Sequence, residues 1–287
     1  MSDIIITTNT SFILSDNITI NDGFSGIDIF TNLTFDGDGH TITYSGGTDW
    51  KGLFKPITNV TGVTIKNVKL VLKQSDIAVN GGGILEISDG INISISIENC
   101  SVILSSSNKI GYHGGGICGS YAGNSQGNCT IMNCYSTGTI GSKSWDSGGI
   151  CGSSAGNNGN CTISNCYTLG NISGNNGGGI CGKAAGGNNG SCTISNCYSL
   201  GNIPDQTGRW SGGICGAHAG ETNGKCTISN CYSLGDILNF NAGGICGNKA
   251  KDTVTVTNCF SKKSTNGISN TIGDGNPMDG NTMITSD

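Results

Sequence analysis

Gly178-Gly179-Ile180-Cys181-Gly182, followed ten residues on by Cys192-Thr193-Ile194-Ser195-Asn196-Cys197-Tyr198-Ser199-Leu200-Gly201-Asn202-Ile203, is one copy of the repeat that decides the fold. The hexad C-T-I-S-N-C returns at Cys161 to Cys166 and Cys226 to Cys231, and with Met132 in place of Ser at Cys129 to Cys134. Looser copies run from Val63 to Val68, Ile95 to Cys100 and Val254 to Cys259. Their closing residues, Val68, Cys100, Cys134, Cys166, Cys197, Cys231 and Cys259, are separated by 32, 34, 32, 31, 34 and 28 residues. The G-G-I-C-G block recurs ahead of the hexads, centred on Cys118, Cys151, Cys181, Cys215 and Cys246, with Gly83-Ile84-Leu85 and Gly52-Leu53-Phe54 as earlier versions.

Each copy holds three short strand-like pieces separated by Gly, Asn and Ser, with no apolar spacing of three and four that would mark a helix. One copy cannot bury its own apolar face, so copies must stack. The expected fold is all-β: a right-handed parallel β-helix of about 32 residues and three strands per coil, about eight coils and roughly 40 Å long. Residues 1–50 read as N-terminal capping coils, 51–260 as the Cys/Gly-rich solenoid and 261–287 as a C-terminal cap or tail.

Strand parity assigns the faces. Cys161 and Ile163 point inward with Asn165, and Thr162 and Ser164 outward, where early copies place Lys66 and Glu98. Asn is present in all seven copies, as Asn67, Asn99, Asn133, Asn165, Asn196, Asn230 and Asn258. Asn accepts left-handed backbone, so these residues predict one stacked corner. Beyond the corner, Cys166, Thr168 and Ile172 point inward. Tyr135, Tyr167, Tyr198, Tyr232 and Phe260 then form an outer column beside Leu169, Leu200 and Leu234. An apolar column of this regularity marks a contact surface.

Composition narrows the function. Gly accounts for 50 of 287 residues and Pro for 3, without the every-third-residue period of collagen. Charged residues are 11% and the net charge is −5, which argues against nucleic-acid partners. The first twenty residues, MSDIIITTNTSFILSDNITI, carry no basic leader and no long apolar run, so neither a signal peptide nor membrane insertion is expected. The compartment stays open. Fifteen cysteines without a leader read as reduced thiols filling the core, since free Cys is among the most buried residues. Zinc sites favour tighter C-x2-4-C knuckles than the C-x4-C spacing here, so no metal or cofactor is expected.

The G-G-I-C-G block followed by C-T-I-S-N-C-Y-S-L-G-N-I resembles the GLUG repeat family, over roughly residues 81 to 260 and more loosely 52 to 72. That resemblance implies a β-solenoid associated with bacterial surface proteins and adhesins. Near the N-terminus, Leu33-Thr-Phe-Asp-Gly-Asp-Gly-His-Thr-Ile42 is similar to the opening coil of pectin-lyase-like β-helices.

Candidate chemistry is sparse. Asp36, Asp38 and His40 form the densest polar cluster, set in a Gly turn that reads as a cap of the first coil. His113 and His218 fall at unmatched positions and read as loop histidines. A T-x-S array (Thr64, Thr130, Thr162, Thr193, Thr227 and Thr255, with Ser164, Ser195, Ser229 and Thr257) resembles ice-binding solenoids, although Thr also simply suits exposed strands. Tyr112, Trp145, Trp210 and Phe240 precede the G-G-I-C blocks at nearly matching offsets, a possible ligand edge able to stack on sugars. Ten N-x-S/T sequons are in line with what this Asn, Ser and Thr content supplies by chance. The reading is a non-enzymatic structural or interaction solenoid that binds itself or another structural protein. The alternatives are a glycan-binding adhesin module, a polysaccharide lyase or hydrolase, and an ice-binding protein.

Overall fold

The computed structural model describes residues 4–6, 10–87, 90–105, 107–141, 146–204, 210–239, 241–248, 250–251, 253–262 and 282–284. Among them every regular element is a β-strand and every strand pairing is parallel, so the chain winds as a β-solenoid. The hexads build one nine-stranded sheet. Seven of its strands, from Val60–Lys66 to Val254–Thr257, belong to the long repeat, and Thr10–Ile13 and Leu33–Asp36 precede them. The first coil is short: Phe12 pairs with Phe35, only 23 residues on. The pieces after each corner build a second sheet of ten strands, which includes Tyr167–Thr168, Tyr198–Ser199 and, at one end, Thr282–Ile284.

The third side is thinner. Ile4–Ile6, Ile27–Ile29 and Phe54–Pro56 pair as strands, and the side then continues as single bridges through Leu85, Cys118, Cys151, Cys181, Cys215 and Cys246. Glycine is needed here for space. A Cβ on Gly178 would overlap the carbonyl oxygen of Cys181, and one on Gly179 that of Gly213. Opposite these glycines, inward hydroxyls from the second sheet reach their carbonyls. Thr168 Oγ1 donates to Gly179 O at 3.0 Å and Ser136 Oγ donates to Gly149 O.

The seven corner asparagines all lie in the left-handed region, with φ from 50° to 55°. Each backbone N–H from Asn67 to Asn230 donates to a carbonyl of the following coil, as Asn165 does to Ser195 at 3.1 Å. Side chains add a second ladder: Asn165 Nδ2 donates to Asn133 Oδ1 at 3.2 Å, Asn133 to Asn99 at 3.1 Å and Asn99 to Asn67 at 3.2 Å. Strand parity alone put Asn165 on the inward side with Cys161 and Ile163. The left-handed turn swings its side chain out, and Asn165 is exposed. Parity then restarts beyond the turn, with Cys166 and Thr168 buried.

All fifteen cysteines are buried free thiols. Six of them, Cys100, Cys134, Cys166, Cys197, Cys231 and Cys259, form a column after the corner. There each thiol donates to a carbonyl of its own coil, and most accept a neighbouring amide, as Cys166 Sγ does from Cys134 N at 3.4 Å. The other nine alternate between the G-G-I-C side and the hexad strands, with Cys151 and Cys161 Sγ 4.0 Å apart and Cys181 and Cys192 Sγ 3.9 Å apart. These columns continue the places that Phe54 and Leu85, or Val63 and Ile95, fill in earlier coils.

Two outcomes are expected. Asn165→Ala forces an ordinary side chain into left-handed backbone, so it should lower the urea unfolding free energy by about 1–2 kcal/mol. Asn165→Gly, free to adopt that φ, should lose less; equal losses would mean that the corner conformation is not what fixes Asn there. Burial pushes the Cys118 and Cys134 thiols well above their usual range, so the folded chain holds protons that the unfolded chain releases near pH 9. Stability should therefore be intact below that pH and fall as pH rises through it. Under reducing conditions the urea midpoint at about pH 10 should lie below that at neutral pH, and a flat profile would contradict a thiol-filled core.

Candidate functional site

The outer face of the second sheet carries the most regular exposed chemistry. Tyr135, Tyr167, Tyr198 and Tyr232 occupy one register position in successive coils. Their rings stack with centroids 4.8, 4.8 and 5.0 Å apart and planes within 5°, 1° and 1° of parallel. Phe260 continues the register. Beside this stack Leu169, Leu200 and Leu234 remain 46%, 43% and 43% exposed. The sequence placed both columns outward because Tyr167 and Leu169 are two positions apart, which puts them on one face of an extended chain. Burial raises the Tyr167 and Tyr198 hydroxyl pKa values, and neighbouring tyrosines add to the effect. On the adjoining hexad sheet, Thr130, Thr162, Thr193, Thr227 and Thr255 align in register with Ser96 and Thr64.

The aromatic edge is not a single column. Trp145 and Phe240 lie outside the described residues. Tyr112 is exposed, and its ring packs edge-on against its neighbour His113 at 3.8 Å. Trp210 stands one place further along, at the position held in earlier coils by Asn80, His113, Asp146 and Asn176. The carbonyls of Asn80, His113, Asp146 and Trp210 face the equivalent glycines Gly119, Gly152, Gly182 and Gly247. Counting back from each block already separates the two: Trp210 lies five residues before Cys215, as His113 does before Cys118, whereas Tyr112 lies six residues before Cys118. Trp210 instead meets His218 of its own coil, with ring centroids 6.1 Å apart.

That same position is a second left-handed corner: Asn80, His113, Asp146 and Asn176 have φ of 59°, 57°, 74° and 58°. It brings together a serine, a histidine and an aspartate that the sequence does not connect. Ser153 Oγ lies 2.9 Å from His113 Nδ1, and Asp146 Oδ2 lies 3.5 Å from that same nitrogen. A proton-relay triad needs the carboxylate and the hydroxyl on opposite ring nitrogens. Here both compete for one, and Asp146 also accepts from Asn176 Nδ2 at 2.7 Å and pairs with Lys183 at 3.7 Å. The group is a polar corner ladder. Burial lowers the His113 pKa, opposed by Asp146 and assisted by Lys183.

Asp36 heads the first asparagine ladder. Its Oδ1 accepts from Asn67 Nδ2 at 2.8 Å and from Asp38 N at 2.9 Å, and Lys66 pairs with Oδ2 at 3.2 Å. Those partners, Asn67 first, hold its carboxyl below the usual range. Among the described residues, no group of three or more His, Cys, Asp or Glu is arranged to hold a metal ion. Two features escaped the sequence reading. One is the bonding of the inward Ser and Thr column, of which Thr168 was read as inward, to the carbonyls of the glycines opposite. The other is a polar trough marked by the Asn157-Asn158 and Asn188-Asn189 doublets.

No protein-family model and no curated protein matches this chain. The GLUG resemblance therefore stands on the quoted motifs. Among solved structures, the chain is similar to one described as a "putative immunoglobulin A1 protease" from Bacteroides ovatus, at 21% identity and a TM-score of 0.53 over 100% of this chain and 79% of that one. At that identity the likeness shows a shared β-solenoid fold and nothing of activity.

Proposed function

We propose that this chain is a structural solenoid whose tyrosine and leucine face packs against a second copy of itself. The observation that carries this reading is the unbroken stack from Tyr135 to Tyr232 flanked by half-exposed leucines. A partner for such a face must present apolar groups at the same rung spacing, about 4.8 Å. Another copy of this solenoid meets that requirement, and two such faces related by a two-fold axis can interdigitate. Covering each half-exposed leucine would contribute on the order of 1 kcal/mol. The motif resemblance to repeats associated with bacterial surface proteins and adhesins fits an assembling, non-catalytic role.

Light scattering on the purified chain tests the idea. The wild type should run as a dimer or larger, and the Tyr198→Lys/Leu200→Ser double variant should shift towards the monomer mass with an unchanged circular dichroism spectrum. A monomeric wild type, or a particle size indifferent to the double substitution, would reject the interface.

A further inference from the structure

The turn that follows each G-G-I-C block forms a shallow trough of about 640 Å³ across three coils. Tyr121 lines one end. The stacking of the turns is fixed by backbone bonds: Tyr121 N donates to Ser153 O at 2.9 Å, Ser154 N to Lys183 O at 2.8 Å and Asn158 N to Gly187 O at 3.2 Å. Ser125, Asn158 and Asn188 therefore stand above one another along the solenoid, in left-handed backbone with φ of 53°, 52° and 46°. Beneath them lie Asn124 and Asn157, and the next coil has Gly187 at that place, which widens the floor. One coil further, Glu221 fills the position and pairs with His218 Nδ1 at 3.2 Å. The trough ends there.

Four properties define what fits. The side-chain amides of Asn158, Asn188 and Asn189 are exposed and make no hydrogen bond among the described residues, although each can donate and accept. On the floor, Asn157 Oδ1 is shut off from solvent and has no donor. An unsatisfied buried acceptor is unfavourable, so a ligand hydroxyl that reached it would gain a hydrogen bond. No charged side chain lines the trough, so an anionic or cationic ligand would gain no ion pair in it. The rungs repeat about every 4.8 Å, close to the length of one sugar ring in an extended chain.

The geometry points to a binding site for a neutral oligosaccharide, which lies along the solenoid and exchanges hydroxyl hydrogen bonds with successive asparagine amides, with Tyr121 at one end as an apolar contact. This site lies on a different turn from the aromatic edge that sequence alone suggested, and it does not depend on the tyrosine face.

The test is titration calorimetry with a panel of neutral hexasaccharides of glucose, mannose, galactose, xylose or N-acetylglucosamine. An oligogalacturonate and a neutral Gly-Ser hexapeptide serve as controls. The informative variant is Asn158→Gly/Asn188→Gly, because glycine keeps the left-handed backbone and removes only the amides. At least one neutral hexasaccharide should bind, more tightly than its disaccharide, and the double variant should weaken it about tenfold or more. Circular dichroism of the variant should match the wild type. Binding by none of the neutral sugars, preference for the anionic sugar or the peptide, or affinity unchanged in the folded variant would each overturn the assignment.

Discussion

Every coil of this molecule is obliged to satisfy the backbone of the next. In a parallel solenoid the N–H and C=O groups of one rung pair with the rungs above and below, so equivalent residues are forced into contact with their like. The corner asparagines express that constraint most directly. Their backbone amides bond forward from coil to coil, and their side chains bond back along the same line from Asn165 to Asp36. A residue at such a column must be favourable against a copy of itself. Amides, hydroxyls, thiols and parallel rings meet that condition, and charges do not. This accounts for a chain with 11% charged residues and long runs of identical columns.

The same constraint explains the thiols. On the glycine side, backbones approach so closely that Gly178 and Gly179 leave no room for a Cβ. A column just inside that side must be apolar and tolerant of its own repetition. Cysteine suits it, being compact and apolar, and there Cys181 Sγ lies 3.9 Å from Cys192 Sγ of the hexad strand. Earlier coils put Phe54 and Leu85 at the equivalent place, so the later thiols take over positions that larger apolar groups fill elsewhere.

Repetition also shapes the surfaces. Successive coils turn one tyrosine into a stack and one asparagine turn into a row of amides. Such surfaces recognise ligands or partners that are themselves periodic. A second solenoid and a saccharide chain are both of that kind, and the two surfaces proposed for them lie on different sides of the molecule. The Ser153, His113 and Asp146 group follows the opposite logic. It joins three unlike residues at one corner, where the shared nitrogen makes them a structural ladder.

Sequence alone determined the solenoid, its repeat length, the burial of the cysteines and the outward tyrosines and leucines. Each of these follows from period-two alternation within strands and a fixed period between coils. Local pattern could not say what the loops bring together. The offset of Trp210 from Tyr112 was countable, since Trp210 lies five residues before Cys215 as His113 does before Cys118, but that this position is a second left-handed corner where Ser153 and Asp146 meet His113 was not. Nor could local pattern reveal that Asn157, Asn158 and Asn188 line one trough: spacing puts Asn158 and Asn188 seven residues after Cys151 and Cys181, and only the stacked turns show which amides are exposed and which oxygen is buried. Strands carry their register in their own side chains. What a loop exposes or buries comes only from the coils it stacks on, and that is a property of the tertiary structure.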